Sequence, residues 1–149
     1  MKNELRVADA VTPMKYRVYP DTPFQEVVDL IVRRAVHALP VVGEDYQVLG
    51  IITTGDVLAR ILKDRRSAAS SAEIETVAAR DVMTRTVLCV SEDQAVTEAA
   101  QAMVQRDVEQ LPVVRDGALI GFLTRDAVLR ALRPDGTTTE DTEATDGDS

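Results

Sequence analysis

Tryptophan is absent from this 149-residue chain, and three tyrosines and two phenylalanines are its only aromatics. A core must therefore be assembled from Val, Leu, Ile, Ala and Met. One cysteine (Cys89) and one histidine (His37) exclude an intramolecular disulfide, a CxxC site, a zinc finger and any multi-His metal centre. No segment approaches the roughly 20 apolar residues of a membrane span. The N-terminal MKNELRVADAVTPMKYRV has no continuous apolar stretch of signal-peptide length. These absences lead to the expectation of a soluble, cytoplasmic chain without a membrane partner, and a solitary thiol fits that compartment.

Positive charge is also in short supply. Seventeen basic residues stand against twenty-five acidic ones, a net charge of −8. Six of the acids and none of the bases fall in residues 134–149, so residues 1–133 carry 17 bases against 19 acids. The body is near neutral and the acidity sits in the tail. A basic stripe with stacking aromatics is missing, so a nucleic-acid partner is not expected. The tail, poor in apolar residues, is expected to be disordered and solubilising. The 45% apolar content is that of a globular chain.

What is present is written twice. Leu39-Pro40-Val41-Val42 recurs as Leu111-Pro112-Val113-Val114. After a polar turn, Val48-Leu49-Gly50-Ile51-Ile52-Thr53 is matched by Leu119-Ile120-Gly121-Phe122-Leu123-Thr124. The apolar helical segments Val57–Leu62 and Val128–Leu132 follow. Upstream, Val7-Ala8-Asp9-Ala10-Val11-Thr12 echoes Ala79-Arg80-Asp81-Val82-Met83-Thr84. Four matching segments in one order and at nearly one spacing identify an internal duplication.

Each copy reads β-α-β-β-α, an α/β (α+β) arrangement. The first helix is expected to begin near Thr22, with Thr22 and Gln25 at capping-box spacing and Pro23 at the first helical position. Phe24, Val27, Val28 and Ile31 form one helical face, which Val96, Ala99, Ala100 and Met103 repeat. The LPVV segments read as strands, with hairpin loops at Glu44–Gln47 and Arg115–Gly117. A unit of about 55 residues is marginal alone, so the two copies are expected to pack sheet to sheet about a pseudo-twofold axis. The expected boundaries are 1–62 for the first repeat, 63–77 for a linker, 78–133 for the second repeat and 134–149 for the tail. Cys89, within Val87-Leu88-Cys89-Val90, reads as a buried structural thiol in an apolar strand. Met14, Met83 and Met103 read as fillers in or near the core.

Two β-α-β-β-α copies with LPVV, a Gly before the third strand and Thr-x-x-Asp opening the last helix resemble a tandem pair of CBS domains, a Bateman module. The resemblance covers roughly residues 5–133. It implies a non-catalytic regulatory module with two clefts between the repeats. Such modules bind adenosine-containing ligands (AMP, ADP, ATP or S-adenosylmethionine), often form disc-shaped homodimers and act on a separate effector protein. No resident cofactor is implied.

The family's ribose-phosphate signature is Gly-h-x-Ser/Thr-x-x-Asp/Asn, intact here as Gly50-Ile51-Ile52-Thr53-Thr54-Gly55-Asp56. A hydroxyl and free amides at a helix N-terminus suit a phosphate, and a carboxylate one turn on accepts from a ribose diol. Gly55 removes a side chain where a ligand approaches. Thr53 and Asp56 equally have the spacing of a capping box, in which each satisfies the other's backbone donor. The second copy departs: Ala127 stands at the position of Asp56, and Asp126, about 100° away on the helix, does not replace it. The resemblance further places Thr12, Val18, His37, Ala38, Leu39 and Pro40 at the adenine end of the cleft holding Thr53 and Asp56. A second cleft would use Thr84, Gln110, Pro112, Thr124 and Arg125. His37 also reads as an exposed residue at a helix end. Lys15, Arg17 and Arg125 are candidate phosphate partners or solvated charges, and Glu109 would repel phosphates if it pointed inward. The clefts are expected to be unequal.

Three functions follow from these residues. The first is a sensor for an adenine nucleotide or S-adenosylmethionine. The second is a structural module for homodimerisation or docking that binds no nucleotide. The third, an enzyme, lacks a Ser/His/Asp arrangement, a metal cluster and a phosphate-binding Walker loop.

Overall fold

The computed structural model describes residues 5–67, 73–74, 76–85 and 88–134. The acidic tail beyond Pro134, part of the expected linker and Val87 lie outside these residues. A 3-10 turn over Val7–Asp9 leads to β1 (Thr12–Pro13), α1 (Phe24–Arg34), β2 (Ala38–Val42), β3 (Val48–Thr53) and α2 (Thr54–Arg66). The same order returns as α3 (Ala79–Val82), β4 (Val90–Ser91), α4 (Val96–Arg106), β5 (Gln110–Arg115), β6 (Ala118–Thr124) and α5 (Arg125–Leu132).

Each repeat is built around one antiparallel hairpin. Leu39 pairs with Ile52 and Pro40 with Ile51; Leu111 pairs with Leu123 and Pro112 with Phe122. Both ladders slip at the same place, between Val41 and Val42 and between Val113 and Val114. A bulge repeated at equivalent positions is structural evidence of the duplication. Asp116 and Gly117, with φ of 51° and 83°, make the tight two-residue turn that matches strand twist. The first hairpin turns differently, around Tyr46 at φ 62°.

Helices α1 and α4 bury the predicted faces: Phe24, Val27 and Ile31 in one, Val96, Ala99 and Met103 in the other. Each ends on a left-handed residue, Ala35 and Asp107, both at φ 53°. The start of α1 corrects the expected cap. Pro23 precedes the helix instead of opening it, and the Thr22 hydroxyl accepts from the Tyr19 amide at 2.9 Å, closing a turn instead. The amide of Phe24 donates to the Val77 carbonyl at 3.0 Å, and that of Val96 to the Leu5 carbonyl at 2.9 Å. Helix α2 runs to Arg66, past the expected limit at residue 62. Arg60 and Asp64 pair across one turn at 3.2 Å, and Lys63, Arg65 and Arg66 lie at the helix end that favours cations.

Leu5 precedes the first repeat and Val77 precedes the second, so each leading arm caps the other repeat's helix. The exchange extends to the sheets. Instead of joining its own repeat, β1 pairs with β6, Thr12 opposite Phe122. Thr84 likewise bridges Ile51 in β3. The strand expected to begin each copy is thus divided. Its first part crosses to the other repeat, and its second part (Val18 beside Val41, Val90 beside Val113) stays home in parallel pairing. Val7 enters the core formed by Val96, Leu111 and Leu123, while Val77 and Ala79 enter the core formed by Val27, Leu39 and Ile52.

The glycines of the third strands permit this crossing. A Cβ on Gly121 would overlap the Thr12 carbonyl oxygen and lie 2.8 Å from Val11 Cγ2. One on Gly50 would lie 2.7 Å from Met83 Sδ and 2.9 Å from the Thr84 carbonyl oxygen. Met103 is buried and Met83 packs against the first core. Cys89 departs from the expected buried strand: it precedes β4 and is only partly buried. That burial still raises its thiol pKa, which disfavours the reactive thiolate.

Two substitutions are expected to move stability in opposite directions. Gly121→Ala should lose about 2 kcal/mol or more, because backbone must shift to admit the methyl group. Ala35→Gly should gain about 1 kcal/mol by relieving a left-handed alanine. Urea unfolding midpoints of the two variants and the parent check both signs.

Candidate functional site

Strand β3 ends and α2 begins at Thr53, whose extended backbone (φ −101°, ψ 166°) turns the chain into the helix. The Asp56 amide donates to Thr53 Oγ1 at 3.1 Å, and the Thr53 amide donates to Asp56 Oδ2 at 2.9 Å. The reciprocal capping box is therefore formed. Asp56 also accepts from the Thr84 hydroxyl, at 3.2 Å on Oδ1 and 3.3 Å on Oδ2. One carboxylate thus closes a helix end and ties the second repeat's arm to the first repeat.

The second copy forms half of this device. Thr124 accepts from the Ala127 amide at 3.2 Å, but the buried Ala127 methyl returns no acceptor. Asp126 is exposed one position earlier. The equivalence of Ala127 with Asp56 follows from these matched caps.

A cavity of about 500 Å³ opens beside Thr53 and Asp56. Ile51 contributes from the same repeat; Thr84, Arg85, Leu88, Arg106 and the segment Val108–Pro112 contribute from the other. Its apolar lining is made by Ile51, Leu88, Val108, Leu111 and Pro112, and its polar lining includes Thr53, Asp56, Thr84, Arg85, Arg106, Glu109 and Gln110. This volume lies in the range of small-ligand sites.

The structure regroups the sequence candidates. Thr53 and Asp56 share their cavity with Thr84, Gln110 and Pro112, which the sequence reading had placed in the other cleft. Thr12 sits on β1 opposite Phe122, and it lines a separate cavity of about 420 Å³ with Val11, Ala127 and Arg130. It therefore belongs with the second repeat's strand and not with Asp56. Arm exchange is the physical reason, since each arm carries its threonine to the opposite hairpin. Val18, Leu39 and Pro40 are buried, so their side chains are core. Ala38 is half-buried and His37 exposed, and the His37 carbonyl accepts from the Thr54 amide at 3.1 Å.

The charged candidates also separate. Arg125 donates from Nε to the Val108 carbonyl at 2.9 Å and from a terminal nitrogen to Asp107 at 3.2 Å. Its other terminal nitrogen stands 3.7 Å from Glu109. These contacts hold the connection between α4 and β5. Arg17 lies over the Tyr46 ring at 5.0 Å and donates to the Tyr19 hydroxyl at 3.2 Å. That bond lowers the phenol's pKa from its ordinary value. Lys15 is exposed. Two cavity residues, Arg85 and Arg106, had not been singled out. The signal was available in the duplication: Arg85 follows the repeated threonine (Thr12 and Thr84), and Arg106 closes a repeated helix.

Among the described residues, no group of three or more His, Cys, Asp or Glu is placed to hold a metal ion, and no helix is long and apolar enough to cross a membrane. The CBS domain family profile matches residues 7–63 and 79–134. Inosine-5'-monophosphate dehydrogenase of Methanocaldococcus jannaschii is 34% identical over 134 residues, which cover 89% of this chain and 24% of that protein. The chloroplastic CBS domain-containing protein CBSX2 of Arabidopsis thaliana is 28% identical over 148 residues, 84% of this chain and 62% of that one. The chain thus spans about a quarter of the first relative's length. A crystal structure of CBSX2 in complex with AMP superposes with a TM-score of 0.71 at 31% identity, covering 85% of this chain and 94% of that one. The two matched segments account for both hairpins and their helices. With its repeats interlocked by exchanged arms and matched at both positions, this chain belongs to the CBS domain family as a tandem, Bateman-type pair.

Proposed function

We propose that this module senses an adenosine-containing ligand, an adenine nucleotide or S-adenosylmethionine, in the cavity beside Thr53 and Asp56, and signals its occupancy to a separate protein. The observation that carries this reading is the convergence of an intact Gly50–Asp56 segment with an apolar wall from the other repeat in one nucleoside-sized cavity. The AMP bound by CBSX2, at 31% identity, supports the ligand class. The cleft with Ala127 lacks the carboxylate, so the Asp56 cleft binds more tightly or alone.

A ribose diol reaching Asp56 competes with the Thr84 hydroxyl for the same oxygens. Binding therefore exchanges an inter-repeat hydrogen bond for a ligand contact. A ligand shifts an equilibrium only by its different affinity for two arrangements, and this exchange gives the two arrangements a physical difference.

A second role, self-association, is favoured by a separate observation. Val32 and Val104 are 72% and 79% exposed at equivalent helix positions, and Leu58 and Leu129 are 60% and 67% exposed at another pair. Isolated exposed apolar residues are ordinary, but these recur in both copies. We assign these helix faces to a homodimer. The module's cytoplasmic location is part of the same proposal.

Calorimetric titration with AMP, ADP, ATP and S-adenosylmethionine tests the sensor. Asp56→Asn, which keeps size and a capping oxygen, should weaken binding about tenfold or more. Thr84→Val should strengthen it several-fold by removing the competitor. Absence of binding by all four ligands would favour the docking module, with Thr53 and Asp56 left as a cap. Sedimentation of Leu58→Glu combined with Leu129→Glu should show monomers where the parent sediments as a dimer; unchanged sedimentation would remove these faces from the interface.

A further inference from the structure

Four charged side chains line the Asp56 cavity: Asp56, Glu109, Arg85 and Arg106. The two acids are occupied. Asp56 accepts from Thr53 and Thr84, and Glu109 faces Arg125 at 3.7 Å. The two arginines have no hydrogen-bond or ion-pair partner among the described residues. They come from different elements, Arg85 from the crossing arm and Arg106 from the last turn of α4, yet meet at one cavity.

The duplication supplies an internal control. Arg34 holds the position of Arg106 in the first repeat, and there its guanidinium lies 5.6 Å over the Tyr16 ring. Leu88 replaces that tyrosine beside Arg106, so no ring holds the guanidinium. Pro13 stands where the second copy has Arg85. Of the two equivalent clefts, the one that kept Asp56 also gained one cation and left another free. An arginine at the end of a helix is ordinarily a solvated charge that complements the helix dipole. Two unpartnered arginines at one cavity, absent or engaged at the equivalent positions, point to an anionic ligand.

We infer that Arg85 and Arg106 make this cleft selective for adenosine carrying a 5'-phosphate over uncharged adenosine and over the cationic sulfonium of S-adenosylmethionine. Guanidinium groups bind phosphate through paired, charge-assisted N–H bonds, and α2 presents its N-terminus to the same space. The inference rests on the adenosine reading above and narrows its ligand class to nucleoside 5'-phosphates.

The test is titration of the whole chain with adenosine, AMP and S-adenosylmethionine, for the parent and for Arg85→Gln combined with Arg106→Gln. Both arginines are exposed, and the variant's thermal midpoint verifies that it folds as the parent does. The parent should bind AMP at least about tenfold more tightly than either other ligand, with affinity falling as salt rises. In the double variant, AMP should fall to the affinity of adenosine while adenosine is unchanged. Equal binding of AMP and adenosine by the parent, or an unchanged ratio in the variant, would overturn the selectivity and leave the adenosine reading standing. Tighter binding of S-adenosylmethionine would reverse the charge preference. Failure of all three ligands to bind would remove both proposals together.

Discussion

The rest of the structure depends on the passage of each repeat's leading arm across the other repeat's third strand. Thr12 pairs over Gly121, and Thr84 over Gly50, where the arm leaves no room for a side chain. From that crossing follow the helix caps from Leu5 and Val77 and the entry of Val7 and Val77 into opposite cores. Neither repeat closes its own core. The segment that completes each core is covalently part of the other repeat.

The crossing also builds the site. Because an arm carries Thr84 and Arg85 to the first repeat's hairpin, the cavity beside Asp56 is lined by both copies. The cavity thus lies at the seam between the two repeats. Asp56 concentrates that coupling in one side chain, being at once a helix cap, a partner for Thr84 and the proposed ribose acceptor. Capping and ligand binding are compatible on one carboxylate, since its two oxygens offer several acceptor directions.

Duplication followed by divergence explains the unequal clefts. The scaffold positions are held alike: the bulges, the left-handed helix ends, the two crossing glycines and the threonine caps. The differences fall where they do not disturb packing. Ala127 replaces Asp56 at the cost of half a capping box, and Leu88 replaces Tyr16 at the edge of the cavity. One cleft keeps its carboxylate and free cations, and the other keeps only its fold.

The repeat, the strand and helix periods, the core faces around Val27 and Val96, and the Thr53–Asp56 cap were legible in the sequence, because each is set by local chemistry or spacing along one stretch of chain. The mismatch of Ala127 with Asp56 was legible for the same reason. Three features were not. The Thr22 cap failed because the α1 amide found the Val77 carbonyl, a partner 53 positions away. The division of candidates between clefts failed because Thr12 and Thr84 lie within the leading segments of their own repeats and pair with the other. Arg85 and Arg106 were not singled out, because only the fold sets them around one cavity. The sequence by itself determined two copies of one unit and a single Gly50–Asp56 segment whose counterpart ends in Ala127. Only tertiary structure decided which halves of the copies share a site, since arm exchange is a choice between equivalent pairings that local sequence satisfies equally well.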